Sequence, residues 1–217
     1  VPRVKTTAML LYSIYLVLTT IEFVMLLFGG MTVYEALNTS FATGGTGGFG
    51  FYNSSMGSFS PYIQIVVTVF MVLFSINFNC YFLLLTRKIK DAFNLELRTF
   101  LIIYTAATLL ITFNIAGQFS GTGEALRHSA FTVASIMSTT GFSTVDFNLW
   151  PELSRTILVI LMFIGACAGS TCGGIKISRV IILFKGMAKE LQTMIQPHQV
   201  KRSRWIPTPL TMKRCVP

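Results

Sequence analysis

Long apolar runs alternate with two polar, glycine-rich interruptions along these 217 residues. The runs at 8–28, 62–85, 100–115 with its flanks, and 157–184 match the roughly 20 apolar residues that a helix needs to cross a bilayer core. Four membrane spans are expected. The first run is too long for a signal peptide, and no small-residue cleavage site precedes a soluble domain. The interruptions are too short and too polar to span, yet they keep a helical period. Val33, Leu37 and Phe41 recur at that spacing, and so do Leu126, Ala130, Val133 and Met137. Half-helices over 33–42 and 124–138 are predicted, each followed by a glycine turn and then a proline, Pro61 or Pro151.

The order of elements therefore repeats. Each unit reads as helix, half-helix, loop, helix, with "EAL" at Glu35 and Glu124 and "GF" at Gly48–Phe49 and Gly141–Phe142. From Glu to Gly, the second unit is about one helical turn longer. Irregular backbone at membrane depth is tolerated only where it is buried in protein or lines an aqueous cavity. Two loops in matching positions favour re-entrant segments over ordinary loops packed on helix ends.

Composition agrees with this pattern. The chain is 53% hydrophobic and 12% charged, about half the usual charged share of a soluble domain. The net charge of +9 is not spread evenly. Arg3 and Lys5 precede the first run, while Arg87, Lys88, Lys90 and Arg98 separate the second and third. Lys185, Lys189, Lys201, Arg202, Arg204, Lys213 and Arg214 follow the fourth, whereas 29–61 and 118–151 carry only Arg127. Positive residues stay inside, so both ends of this segment and the 87–98 connection are expected on the cytoplasmic side. A nucleic-acid- or lipid-binding tail is the rival account of 201–214. Cys80, Cys167, Cys172 and Cys215 show no metal-ligand or disulfide spacing.

The two turns suit a cation that must exchange its water for other oxygens. Backbone carbonyls do this when successive peptides aim at one axis, a geometry that glycine adopts cheaply. Thr46, Gly47, Gly48 and Phe49 form the first candidate filter segment, and Thr139, Thr140, Gly141 and Phe142 the second. Threonine adds oxygens, glycine takes the strained position, and phenylalanine anchors the loop. No Lys or Arg lies between either glycine and the following proline, so anions are poorly served. Glu35 and Glu124 are read as stabilising half-helix N-termini, and His128 as a hydrogen-bonded histidine. The GxGxxG match at 45–50 lacks the strand, helix and acid of a dinucleotide site.

The fourth run is unusual. Gly165, Gly169, Ser170, Thr171, Gly173, Gly174 and Lys176 interrupt it with small residues and a charge. Small residues can serve close helix packing, but an intramembrane lysine is expensive and favours a break. A loop below the filter, with Lys176 as repulsive charge, would make a gate. The second run, 62–85, is expected to be its uninterrupted counterpart, with Asn77 and Asn79 bonding between helices.

The stretches "HSAFTVASIMSTTGFSTVDFNLWP", "NTSFATGGTGGFG" and "GACAGSTCGGIKISRVIILFK" resemble the membrane subunit of the Trk/Ktr bacterial potassium-uptake systems, nearer the Trk type (TrkH-like). The resemblance implies an all-α integral membrane protein of potassium-channel-like architecture, with four helix–pore-loop–helix repeats. Residues 1–90 and 91–196 would be the second and third repeats, with loop 165–176 as gate and 197–217 as a basic cytoplasmic tail. It also implies a homodimer of pore subunits, a cytosolic nucleotide-binding regulatory subunit (TrkA-like), the bacterial inner membrane, and K+ as the transported ion. No cofactor and no nucleic acid are expected. A chain that opens on Val1 with two repeats is read as a fragment or as half of an assembled pore. A secondary transporter of another solute and a non-conducting partner of a complete channel remain open. An enzyme is not expected, because no catalytic constellation is present.

Overall fold

The computed structural model describes residues 2–87 and 93–195. Lys88, Lys90, the predicted tail 197–217 and Cys215 lie outside the described residues. Eight helices are seen among the described residues, joined by short 3-10 turns: α1 (Pro2–Phe28), α2 (Val33–Gly44), α3 (Pro61–Ser75), α4 (Phe78–Leu85), α5 (Leu95–Ile115), α6 (Thr122–Met137), α7 (Glu152–Phe163) and α8 (Ile177–Ile195). One isolated parallel bridge, Ile164 with Ile175, is the only strand-like pairing found there. Among the described residues, 2–181 form one compact unit, and 182–195 fall outside it.

Among the described residues, two helices are long and apolar enough to cross a membrane by themselves, at Ala8–Phe28 and Leu95–Gln118. Their outward residues are apolar, including Val17, Ile21 and Phe28 on α1 and Leu109, Leu110 and Phe113 on α5. The inner faces build two cores. Leu26, Val67, Met71 and Phe74 meet Phe131 and Phe142 in the first, while Phe100, Ile111, Val133, Met137 and Leu158 form the second. Helix α6 contributes to both, so the two predicted units share a packed boundary.

The second span departs from expectation. It is not one helix: α3 and the following helix through Leu84 meet at 91°. Ile76 is extended, and the Asn77 side chain caps α4 by accepting from the Asn79 amide at 2.9 Å. Asn77 is therefore a helix cap rather than only an interhelical bonding group. The fourth run is broken as predicted, with α7 ending at Phe163 and α8 starting at Ile177.

Candidate functional site

Both half-helices form where the apolar period placed them, and each start is stabilised locally. Thr32 and Glu35 make a reciprocal capping box at α2, an arrangement worth about 1 kcal/mol. The Thr32 side chain first, and then the Tyr52 hydroxyl at 2.7 Å, hold the Glu35 carboxyl below the usual carboxylate range. Glu124 lies in the first turn of α6, near Arg127 at 3.8 Å. His128 is buried, with Nδ1 2.8 Å from the Thr144 hydroxyl and its ring stacked on Phe119.

The C-terminal turns of α2 and α6 follow one plan. Gly45 N–H donates to Phe41 O, Thr46 N–H to Thr43 O, and Gly47 N–H to Ala42 O. In the second unit Ser138 N–H donates to Ala134 O, Thr139 N–H to Ile136 O, and Thr140 N–H to Ser135 O. The register is constant, so each bond recurs at the interval that separates Gly48 from Gly141. The dihedrals repeat too. Thr46 and Thr139 have φ of 52° and 58°, and Gly48 and Gly141 have φ of 67° and 89°. A left-handed, β-branched threonine costs about 1–2 kcal/mol, yet the same strain occurs at both places. Helix α6 is 16 residues against 12 for α2. The extra turn seen in the sequence is therefore taken up within the half-helix.

The two loops also touch. A Cβ on Gly48 would lie 1.9 Å from Thr140 O, so nothing larger than glycine fits against that peptide. Met56 N–H donates to Ser143 O at 2.8 Å, and Ser143 N–H to the Ser55 hydroxyl at 3.2 Å. The second loop is fixed further by Ser135 Oγ donating to Phe142 O at 2.6 Å and by a Ser138–Thr140 hydroxyl pair at 2.6 Å. Phe142 is buried and anchors its loop as expected. Phe49 does not: it is 78% exposed, because no described element packs over it.

Loop 164–176 closes on itself and then docks on the break between α3 and α4. Gly165 N–H donates to Ile175 O at 2.9 Å, and a Cβ there would meet Gly173 O at 2.5 Å. Cys167 N–H donates to Ser75 O, Phe78 N–H donates to Gly169 O, and the Thr171 hydroxyl donates to Phe74 O. These bonds satisfy the groups that the missing helical turn leaves open. The loop reaches the second candidate filter segment as well, through Gly173 N–H on the Thr139 hydroxyl at 2.8 Å. Lys176 does not project into open space, since its ammonium donates to Cys172 O.

Glu96 was not singled out in the sequence, although its carboxyl accepts from Ala168 N–H at 2.6 Å. As an acid in the first turn of α5 it reads as ordinary helix-end stabilisation. Nothing local points to a partner 72 residues away.

The sequence profile of TrkH, described as a cation transport protein, matches residues 1–212. The chain belongs to the TrkH family. The Trk system potassium uptake protein TrkH of Halomonas elongata is 34% identical over 203 residues, covering 92% of this chain and 42% of that protein. TrkH of Escherichia coli K12 is 33% identical over 206 residues, with the same coverage, and TrkG of that organism is 32% identical over 201 residues, covering 90% and 41%. The crystal structure of the potassium transporter TrkH from Vibrio parahaemolyticus superposes with a TM-score of 0.85 at 32% identity, covering 93% of this chain and 44% of that one. The all-helical membrane fold is thus that of TrkH. The chain spans less than half the length of these relatives.

Proposed function

We propose that this chain supplies two pore-loop repeats of a potassium-uptake pore. The observation that carries the reading is the repeated turn. Two half-helix ends share their hydrogen bonds, their left-handed threonines and their left-handed glycines, and they meet at Gly48 and Thr140. Such turns present several backbone oxygens within a few residues, which is what a partly dehydrated cation requires. The half-helix C-termini add negative dipole potential at the same place. Thr46, Gly47, Gly48 and Phe49 form one filter segment, and Thr139, Thr140, Gly141 and Phe142 the other. The relatives' names specify potassium.

Residues 1–90 and 91–196 are the two repeats, and 197–217 a basic tail. Gly165, Gly169, Ser170, Thr171, Gly173, Gly174 and Lys176 form the gating loop, whose contact with Thr139 joins it to the filter. Two further filter segments complete the ring, supplied by more of this polypeptide or by a second copy. The pore sits in a bacterial inner membrane with both ends of this segment cytoplasmic, paired as a homodimer and controlled by a cytosolic nucleotide-binding subunit.

Radiolabelled rubidium uptake into proteoliposomes, competed by unlabelled potassium and sodium, tests the reading. Uptake blocked far better by potassium, and lost in Gly141→Asp, is the expected result. Uptake insensitive to Gly141→Asp overturns the filter assignment.

A further inference from the structure

Glu22 lies deep within α1, six residues from its outer end, and is completely buried. Neither carboxyl oxygen has a hydrogen-bond partner. It belongs to a polar stripe on an otherwise apolar helix. Tyr15, Thr19 and Glu22 recur at helical spacing, so they share one face. That face lies against the last turn of α2: a Cβ on Gly44 would be 3.2 Å from the Tyr15 hydroxyl and 3.3 Å from that of Thr19. The Thr43 hydroxyl stands beside the Glu22 carboxyl, but its proton is given to Thr39 O at 2.8 Å. Thr19 likewise donates to its own helix, to Tyr15 O at 2.9 Å. The Thr19 and Thr43 hydroxyls are therefore already committed as donors to the backbone.

Among the described residues, the helices packed on α1 supply no fixed cation to balance this acid. Helices α2, α3 and α4, which pack on α1, contain no Lys or Arg. Arg3 and Lys5 lie at the far end of α1, with Lys5 about 25 Å away along the helix. The titratable groups on the packed helices are engaged elsewhere. Glu35 is capped by Thr32 at the opposite end of α2, and Tyr62 packs at Gly29. Tyr81 donates to Leu73 O, Tyr34 lies against Phe51 at the start of α2, and Cys80 is a buried free thiol on α4. A bare carboxylate without a donor or a counter-charge is far too costly in such a place. A positive charge must accompany it, either a proton on the carboxyl or a cation nearby. The first candidate filter segment begins just past Thr43, in the turn that Glu22 backs.

We propose that Glu22 is a proton-exchange site behind the first filter segment, whose carboxyl releases a proton to the pore water as a monovalent cation occupies Thr46–Phe49. The exchange balances charge: the O–H bond breaks, the electron pair stays on the carboxylate, and the incoming cation replaces the lost positive charge. Binding and deprotonation favour each other reciprocally. Cation affinity therefore rises with pH, and loading the filter acidifies the medium. The inference rests on the filter assignment above.

Two measurements separate the failure of this inference from the failure of that assignment. The first is infrared difference spectroscopy of reconstituted protein on adding potassium chloride, with choline chloride as control. Loss of a protonated-carboxyl band that is absent in Glu22→Gln and shifted in Glu22→Asp is expected. No potassium-dependent carboxyl band in folded wild type overturns the proposal, whether or not the vesicles transport. The second is the half-saturating rubidium concentration for uptake, which should fall by about fivefold or more between about pH 6 and about pH 8 in wild type. Glu22→Gln should show a flat profile, and Glu22→Asp should retain a slope. A wild-type slope retained in Glu22→Gln removes Glu22 from the linkage while leaving the pore assignment intact. Absence of selective uptake at every pH counts against the pore assignment, and the infrared result then decides Glu22 alone.

Discussion

The Gly173 amide donates to the Thr139 hydroxyl across 2.8 Å, joining the break in the last span to the strained threonine of the second candidate filter turn. Thr139 thus has two roles: its backbone makes the turn and its side chain holds the loop. Thr139→Val keeps the shape and removes the acceptor. Gly173 is exposed, so water can replace the bond and the stability cost stays near the low end, about 0.5–1 kcal/mol. Rubidium flux should rise with little loss of thermal stability, and Thr139→Ser should behave like wild type. Unchanged flux in Thr139→Val would show that this bond does not restrain the loop.

Gly48 and Gly141 occupy equivalent places but should not tolerate alanine equally. At Gly48 the new Cβ meets Thr140 O at 1.9 Å, whereas at Gly141 nothing lies within 4 Å. Gly141→Ala incurs mainly left-handed backbone strain, about 1–2 kcal/mol. Gly48→Ala must also separate the two loops. Thermal unfolding in detergent should rank wild type above Gly141→Ala and Gly141→Ala above Gly48→Ala.

The neck of loop 164–176 gives a third test. An alanine Cβ at Gly165 would sit 2.5 Å from Gly173 O, forcing 165 and 173 apart. Overpacking of this kind costs about 1–3 kcal/mol. In contrast, Gly186 has open space in the interior of α8, and Gly186→Ala should stabilise that helix by up to about 1 kcal/mol. Gly165→Ala should lower the melting temperature and alter flux, while Gly186→Ala should do neither.

Glu96 holds the other side of the loop through Ala168 N–H. Glu96→Ala removes this acceptor and should lower stability by about 1–2 kcal/mol. Glu96→Gln retains a carbonyl oxygen and should lose less. Protease accessibility of a site engineered near Ala168 reports the difference: cleavage should accelerate in the alanine variant and stay near the wild-type rate in the glutamine variant.

Local chemistry explains which of these features could be read from the chain. The half-helices follow from apolar spacing, and their turns from glycines, which take the left-handed conformation at little cost. The last break announces itself through Gly165–Gly174 and Lys176. The bend at Ile76–Asn77 does not, because neither proline nor glycine marks it, and Ser75, Asn77 and Asn79 also suit hydrogen bonding within or between continuous helices. That bend is held by residues 167–171, which are distant in sequence. Phe49 and Phe142 make the same point: an identical Thr-x-Gly-Phe pattern leaves one ring exposed and the other buried, since burial depends on what packs above. Glu22 and Glu96 cannot be read this way, because an isolated acid in a span or a first helical turn carries no local sign of its surroundings.

The dock between the last break and the second span has a consequence for engineering. Residues 167–171 splint the bent span, supplying from another part of the chain the donors and acceptors that a continuous helix would have supplied itself. Excising the loop removes the splint. The bared Phe74 and Ser75 carbonyls and the Phe78 amide must then find new partners inside the bilayer. Shortening the loop therefore removes support from the bent span, whereas substitutions that keep its backbone seated at 167–171 while loosening 173–176 leave the splint in place.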